Sequence, residues 1–132
     1  MKIVLDTNII ISAILFRGNP EKVFDLCLEG NNIKGCICPE LLAELLSKLK
    51  YKFEVQDNEI EIIKDMIISR FEYMLVFNKE DICRDEKDNI ILDLAGCCSA
   101  DYLITGDRDL LVLKKIKSTR IITPAGFLSK IK

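Results

Sequence analysis

The sequence predicts an α/β fold, a three-layer sandwich in which a central, mainly parallel sheet of about five strands lies between two layers of helices. Short apolar segments alternate with longer amphipathic ones along the whole chain. This alternation is typical of βαβ units, whose right-handed crossovers make successive strands parallel. No linker or shift in composition divides the chain, so we expect residues 1–132 to form one domain.

The first predicted strand contains Ile3, Val4 and Leu5. This apolar run is too short for a helix and rich in β-branched residues, which indicates a strand buried on both faces. Asp6 ends the run, and residues 9–16 predict the first helix. Because α/β sheets bind ligands at the carboxyl ends of their strands, Asp6 is a candidate site residue. The alternative is that Asp6 only caps the helix that follows.

Turn and capping residues delimit the elements that come next. Asn19 and Pro20 predict the start of a second helix, as N-cap and first helical residue. The following elements are predicted in chain order: a strand at 33–38, a helix from Pro39 to about 49, a helix at 58–70 and a strand at 74–77. After a charged loop at 78–88, we predict a helix, a strand at 102–105, a short helix at 110–116, a strand at 120–123 and a last helix opened by Pro124.

The composition restricts the chemistry that the chain can perform. It contains no histidine, which excludes Ser-His-Asp and Cys-His catalytic devices. An enzyme of this composition must use carboxylates or lysines, with or without a metal ion. The six cysteines are expected to be reduced, mostly buried thiols. A zinc site is the alternative, but the pairs are C-x-C and C-C rather than the two-residue spacing of zinc knuckles, and no histidine completes a mixed ligand set.

Charge is distributed unevenly along the chain. Of the 19 basic and 21 acidic residues, six basic and one acidic lie in residues 109–132. An acidic body with a basic end suits a metal site beside a phosphate-binding surface, and equally suits a solvated terminal helix. The amino-terminal residues lack the features of a signal peptide, and no apolar run approaches the roughly 20 residues of a membrane span. We therefore expect a soluble, cytoplasmic protein.

Several acidic side chains are predicted at the carboxyl edge of the sheet. Asp6 follows the first strand, Asp107 and Asp109 follow the fourth, Asp88 starts the helix before it, and Glu44 lies on the helix after the second. Carboxylates held together repel one another unless a cation lies between them. Mg²⁺ or Mn²⁺ suits such a site because hard cations prefer oxygen ligands, and it would activate water without a histidine.

These motifs together resemble the PIN-domain ribonucleases. The resemblance rests on a glutamate within the helix at Pro39 and on residues 5–8 (Leu-Asp-Thr-Asn), 84–88 (Arg-Asp-Glu-Lys-Asp) and 105–111 (Thr-Gly-Asp-Arg-Asp-Leu-Leu). The chain is similar to a bacterial and archaeal branch of this family, the toxins of toxin–antitoxin systems. The resemblance extends from Lys2 to about Phe127. Residues 85–89 depart from that branch, which usually has a proline and a further aspartate there.

The resemblance implies a specific set of site residues. The metal-binding, catalytic acids would be Asp6, Glu44, Asp88 and Asp107, and Asp109 would bind the metal or its water shell. Glu44 rather than Glu40 matches the family because it lies within Leu-Ala-Glu-Leu-Leu. The residues that would support these acids are Thr7, Asn8, Asp85 and Thr105.

The resemblance also implies a function. It predicts a Mg²⁺- or Mn²⁺-dependent endoribonuclease that cleaves single-stranded RNA. The protein would be the toxin of a toxin–antitoxin pair, would bind a small antitoxin protein and would form a homodimer. One alternative is a non-catalytic PIN-fold interaction module. Another is a phosphatase or receiver domain with an acidic pocket, but Asn8 stands where such phosphatases need a second aspartate, and Pro124 where a receiver needs lysine.

Overall fold

The computed structural model describes residues 1–76 and 86–131, except for the side chains of residues 86–89. Within these ranges the strands are β1 (Lys2–Leu5), β2 (Lys34–Ile37), β3 (Glu72–Tyr73), β4 (Tyr102–Ile104), β5 (Lys115–Ile116) and β6 (Thr119–Ile122). The helices are α1 (Thr7–Leu15), α2 (Gly18–Leu28), α3 (Pro39–Tyr51), α4 (Asp57–Arg70), α5 (Glu86–Cys97), α6 (Arg108–Leu111) and α7 (Pro124–Lys130). Among the described helices, none has the length and apolar character needed to cross a bilayer.

β1 lies in the middle of a six-stranded sheet with the strand order β3-β2-β1-β4-β6-β5. It pairs in parallel with β2 and β4, so that Val4 lies between Cys36 and Leu103. β6 extends the parallel arrangement beyond β4, whereas β5 is antiparallel at the edge. Ile3 and Val4 are both fully buried although neighbouring side chains of a strand point to opposite faces, so β1 is covered on both sides. The predicted α/β fold with a mainly parallel central sheet is confirmed.

α3 begins directly after β2, where Pro39 occupies the first turn of the helix and needs no backbone donor. Its buried face consists of Leu41, Leu42, Leu45 and Leu49. The helix packs against α1 and α5, and it continues to Tyr51 rather than ending near Leu49. This packing holds the remaining face of α3 beside the carboxyl edge of the sheet.

The third strand lies at Glu72–Tyr73. Of the residues predicted for it, 74–76 are not in a strand and 77 lies outside the described residues. β3 pairs only with Cys36 and Ile37, and β2 ends there because α3 starts two residues later. The preceding Phe71 anchors this segment: its ring covers Gly35, where an added Cβ would lie 2.5 Å from a ring carbon. The apolar sequence of residues 74–76 therefore has no strand partner, although Met74 donates one backbone hydrogen bond to Ile37.

Two further element boundaries differ from the prediction. The helix predicted at 110–116 is the shorter α6, because Lys114 adopts a positive φ of 60° and the chain turns back to pair Lys115 with Arg120. α2 begins at Gly18 with Arg17 as its N-cap residue, so Asn19 does not cap it. At α6, the pairing of the following segment rather than local helix propensity sets the end of the helix.

Five cysteines fall in the described part of the chain, and all five are free thiols. Burial raises the pKa of Cys27 to about 12 and that of Cys38 to about 11. Thiols of such high pKa carry little thiolate and are poor nucleophiles. Cys83 lies outside the described residues.

Candidate active site at the carboxyl edge of the sheet

Asp6 lies at the carboxyl end of the central strand and is only 7% exposed. Its Oδ1 accepts a hydrogen bond from the backbone N–H of Asn8 (3.3 Å), and its Oδ2 accepts one from Thr105 Oγ1 (2.8 Å). Asp6 is thus also the N-cap of α1. Asp6 can therefore both cap α1 and serve as a site residue, because its contact with Thr105 is not part of the helix cap.

Thr105 connects Asp6 to the loop that follows β4. Its hydroxyl donates to Asp6 and accepts the backbone N–H of Asp107 at 3.0 Å. The Oδ1 atom of Asp107 in turn accepts the backbone N–H of Asp109 at 2.9 Å, which makes Asp107 the N-cap of α6. Parallel pairing of Leu5 with Ile104 brings these segments together, since the residues that follow the two strands emerge side by side.

Glu44 approaches the same edge from α3. Its side chain is 17% exposed, and its Oε1 lies 3.2 Å from the Nζ of Lys48, one helical turn later. The same ammonium group donates a 3.3 Å hydrogen bond to Asn8 Oδ1. Glu40, one turn before Glu44, is exposed. The assignment of the second acid to Glu44 rather than Glu40 stays a prediction.

The carboxylates interact electrostatically. Burial is the main cause that raises the pKa of Asp6 above its ordinary value of 3.8, and the hydrogen bonds from Thr105 and Asn8 act in the opposite direction. The negative charges of Asp107 and Glu44 raise that pKa further. Asp107 and Glu44, two further acids predicted from the sequence, are therefore close enough to Asp6 to disfavour its ionisation.

The remaining predicted residues are placed less completely. Thr7 is buried and Asp109 exposed in the first turns of α1 and α6. The backbone of Asp88 lies in the first turn of α5, whereas its side chain, like the whole of Asp85, lies outside the described residues. Among the side chains that the structure describes, no three converge closely enough to hold a metal ion by themselves.

Lys48 is the residue at this edge that the sequence analysis missed. It follows Glu44 by four positions, a spacing that places two side chains on the same face of a helix and favours a Glu–Lys pair. That spacing was sufficient to place Lys48 near the acids. The contact with Asn8 could not be anticipated, because it depends on how α1 and α3 pack.

A cavity of about 230 Å³ lies elsewhere, between the carboxyl-terminal half of α5 and the turn from β5 to β6. Its lining includes Asp93, Lys117 and Thr119, but none of the acids predicted for the site. This cavity is therefore distinct from the candidate site.

Comparison with known proteins identifies the class of protein. A family model described as a PIN domain matches residues 2–109. The uncharacterized protein MJ1680 of Methanocaldococcus jannaschii is 35% identical over 123 residues, which cover 86% of this chain and 76% of that protein. This chain belongs to the PIN domain family. PIN domains are generally nucleases, and the acids described above lie at the edge where α/β sheets bind their ligands.

A solved structure has the same fold. It is a chain from the crystal structure of VapBC2 from Rickettsia felis bound to a DNA fragment from their promoter. The two chains superpose with a TM-score of 0.64 at 20% identity, over 92% of this chain and 97% of that one.

Proposed function

We propose that this protein is an endoribonuclease that cleaves single-stranded RNA with the aid of Mg²⁺ or Mn²⁺. The observation that carries the proposal is the position of Asp6, a buried carboxylate whose pKa is raised by burial and by the nearby Asp107 and Glu44. Such an arrangement is unfavourable in isolation and becomes favourable when a cation lies between the acids. Membership in the PIN domain family, whose members are generally nucleases, also supports a nuclease function.

The donors at this edge fit a hard divalent cation. Asp6, Glu44 and Asp107 offer only carboxylate oxygens, which Mg²⁺ and Mn²⁺ prefer. These three would hold the ion together with Asp88, whose backbone lies in the first turn of α5, and Asp109 would contact the ion or its waters. When bound, the ion lowers the pKa of water and stabilises negative charge on phosphate oxygens.

The chain's own groups prepare this edge for the substrate. The hydrogen bonds from Thr105 and Asn8 fix both oxygens of Asp6 and favour its ionised form. Asp107 and Asp109 are held through the same hydroxyl and the first turn of α6. Thr7 and Asp85 would support the acids from α1 and from the segment before α5. Since the chain has no histidine, these carboxylates are its available proton acceptors near neutral pH.

The nuclease proposal is tested with purified protein and a mixed pool of single-stranded RNA. We expect cleavage in Mn²⁺ or Mg²⁺, no cleavage in EDTA and no cleavage by the Asp6→Asn/Asp107→Asn double variant. Cleavage that persists in EDTA or in the double variant would contradict the mechanism. Absence of cleavage in every metal would favour the alternative of a non-catalytic interaction module.

We also propose that the protein is the toxin of a toxin–antitoxin pair and works as a homodimer in the cytoplasm. Support comes from the likeness in fold to a chain of the VapBC2 structure. Exposed apolar side chains offer surface for protein partners: Phe16 and Tyr51 are 68% and 76% exposed at the ends of α1 and α3. Co-expression with the product of the neighbouring gene tests this directly. A stable complex that suppresses RNA cleavage is expected, and free, fully active protein would contradict the pairing.

A further inference from the structure

Lys48 brings a positive charge to the acid edge of the sheet. Its ammonium group lies 3.2 Å from Glu44 Oε1 and 3.3 Å from Asn8 Oδ1, so it links α3 to the first turn of α1. Asn8 is the residue whose backbone N–H binds the carboxylate of Asp6. Lys48 therefore contacts both segments that carry the first two acids of the candidate site.

The neighbouring Lys50 provides a contrast on the same helix. Its Nζ lies 3.5 Å from Asp57 Oδ1, at the start of α4, and its side chain is 47% exposed against 25% for Lys48. Lys50 thus pairs with a helix terminus outside the acid edge, whereas Lys48 pairs within it.

We propose that Lys48 is a resident counterion of the acid site, a positioning residue that holds Glu44 while no metal is bound and competes with the divalent cation for that carboxylate. The proposal rests on the proposed metal-dependent function. In the metal-free protein, the negative charges of Glu44 and Asp107 act against that of Asp6, and the ammonium group that pairs with Glu44 offsets part of this repulsion. A divalent cation that binds Glu44 meets the same ammonium as a like charge.

The charges involved indicate whether the loss of Lys48 strengthens or weakens metal binding. Loss of a partly exposed ion pair between neighbouring turns removes only a weak restraint on Glu44. When a divalent ion is bound, loss of the Lys48 charge also removes the repulsion between the ammonium and that ion. The product of these two charges is twice as large as the product of the ammonium and carboxylate charges. Neutralising Lys48 should therefore tighten metal binding and, at the same time, destabilise the metal-free protein.

The experiment is a calorimetric titration of the full-length protein with Mn²⁺, together with thermal unfolding in EDTA. The variant Lys48→Gln keeps an N–H donor for Asn8 and loses the charge, Lys48→Arg keeps the charge, and Lys50→Gln is the matched control. We expect Lys48→Gln to bind Mn²⁺ roughly three- to tenfold more tightly than wild type. Its midpoint of unfolding in EDTA should fall by roughly 2–5 °C. Lys48→Arg and Lys50→Gln should bind Mn²⁺ as wild type does.

A second background shows whether the effect passes through Glu44. In Glu44→Gln, the further change Lys48→Gln should alter the Mn²⁺ affinity by a smaller factor than it does in wild type. An equal factor would overturn competition for Glu44.

Other outcomes separate this inference from the proposed function. If wild type binds Mn²⁺ and Lys48→Gln binds it equally or more weakly, the counterion role is overturned while the metal-dependent function stands. If wild type does not bind Mn²⁺, both fail. If Lys48→Gln does not fold in EDTA, Lys48→Met, which keeps the apolar stem, replaces it. Unfolding of both variants would make Lys48 a purely structural residue and overturn the proposal.

Discussion

Thr105 Oγ1 donates a 2.8 Å hydrogen bond to Asp6 Oδ2, and this contact joins the side chains that follow two neighbouring parallel strands. The hydroxyl has one proton, which this bond uses, and its oxygen accepts the backbone N–H of Asp107 at 3.0 Å. Asp6 and Asp107 are thereby oriented by one side chain. Thr105 is fully buried, so water does not compete for these bonds.

Replacing Thr105 by Val should damage the site without changing its shape. The variant leaves the Asp107 N–H and one oxygen of Asp6 without this partner, which should cost about 1–3 kcal/mol in the free energy of unfolding. Because the lost bond favours ionised Asp6, its pKa should rise and the acid limb of the pH–rate profile should move to higher pH. Urea unfolding and the pH profile measure these effects. Thr105→Ser should restore both, and a Val variant with an unchanged profile would separate Thr105 from Asp6 ionisation.

Glu44 and Glu40 offer a comparison within one helix. Glu44 interacts with Asp6 and pairs with Lys48, whereas Glu40 is exposed one turn earlier. Glu44→Gln should abolish RNA cleavage, while Glu40→Gln should leave the rate within about twofold of wild type. The two rates are measured with the same labelled RNA in Mn²⁺. Equal losses would show that the assignment of the second acid to Glu44 is wrong.

Neutralising one acid should stabilise the metal-free protein. Repulsion within the cluster carries a net penalty of roughly 1–3 kcal/mol, which a cation bound only by the folded site removes. Asp107→Asn should therefore melt at a higher temperature than wild type in EDTA and gain less from Mg²⁺, since asparagine can still cap α6. Asp88→Asn should behave in the same way if Asp88 belongs to the cluster. If a variant melts at a lower temperature in EDTA, or responds to Mg²⁺ as fully as wild type, the residue that it replaces does not belong to the acid cluster.

The raised pKa of Asp6 predicts the direction in which its contribution to stability changes with pH. The folded protein holds this proton more tightly than the unfolded chain, whose Asp6 titrates near the ordinary value of 3.8. The contribution of Asp6 to stability in EDTA should therefore decrease as the pH rises from below 3.8 through the raised pKa of the folded state. The difference in unfolding free energy between wild type and Asp6→Asn, followed across acidic pH, isolates this contribution. A difference that is constant with pH would contradict the raised pKa.

The sequence was sufficient to predict the fold class because its strongest patterns are local. The apolar run of Ile3, Val4 and Leu5, and the alternation of short and long segments, led directly to a parallel sheet with β1 in its interior. The positions of Asp6, Asp107 and Glu44 at one edge followed from the same reasoning, and their roles in chemistry stay predictions.

What the sequence did not predict depends on contacts between distant segments. The apolar residues 74–77 suggested a strand, but among the described residues β2 offers partners to β3 only as far as Ile37. Residues 110–116 suggested one helix, but pairing of Lys115 with Arg120 turns the chain into an edge strand. The contact between Lys48 and Asn8 was missed for the same reason, because it joins two different helices.

The distance along the chain between the two halves of the site has a consequence for synthesis of the protein. Thr105 lies 99 residues after its partner Asp6, and β4, which precedes it, is an immediate neighbour of the central strand. A ribosome releases Asp6 and Glu44 early, but these acids meet Thr105 and Asp107 only after β4 has emerged and docked. A nascent or prematurely terminated chain that ends before β4 therefore lacks the assembled edge. Any activity that depends on these acids would begin only after translation has passed β4.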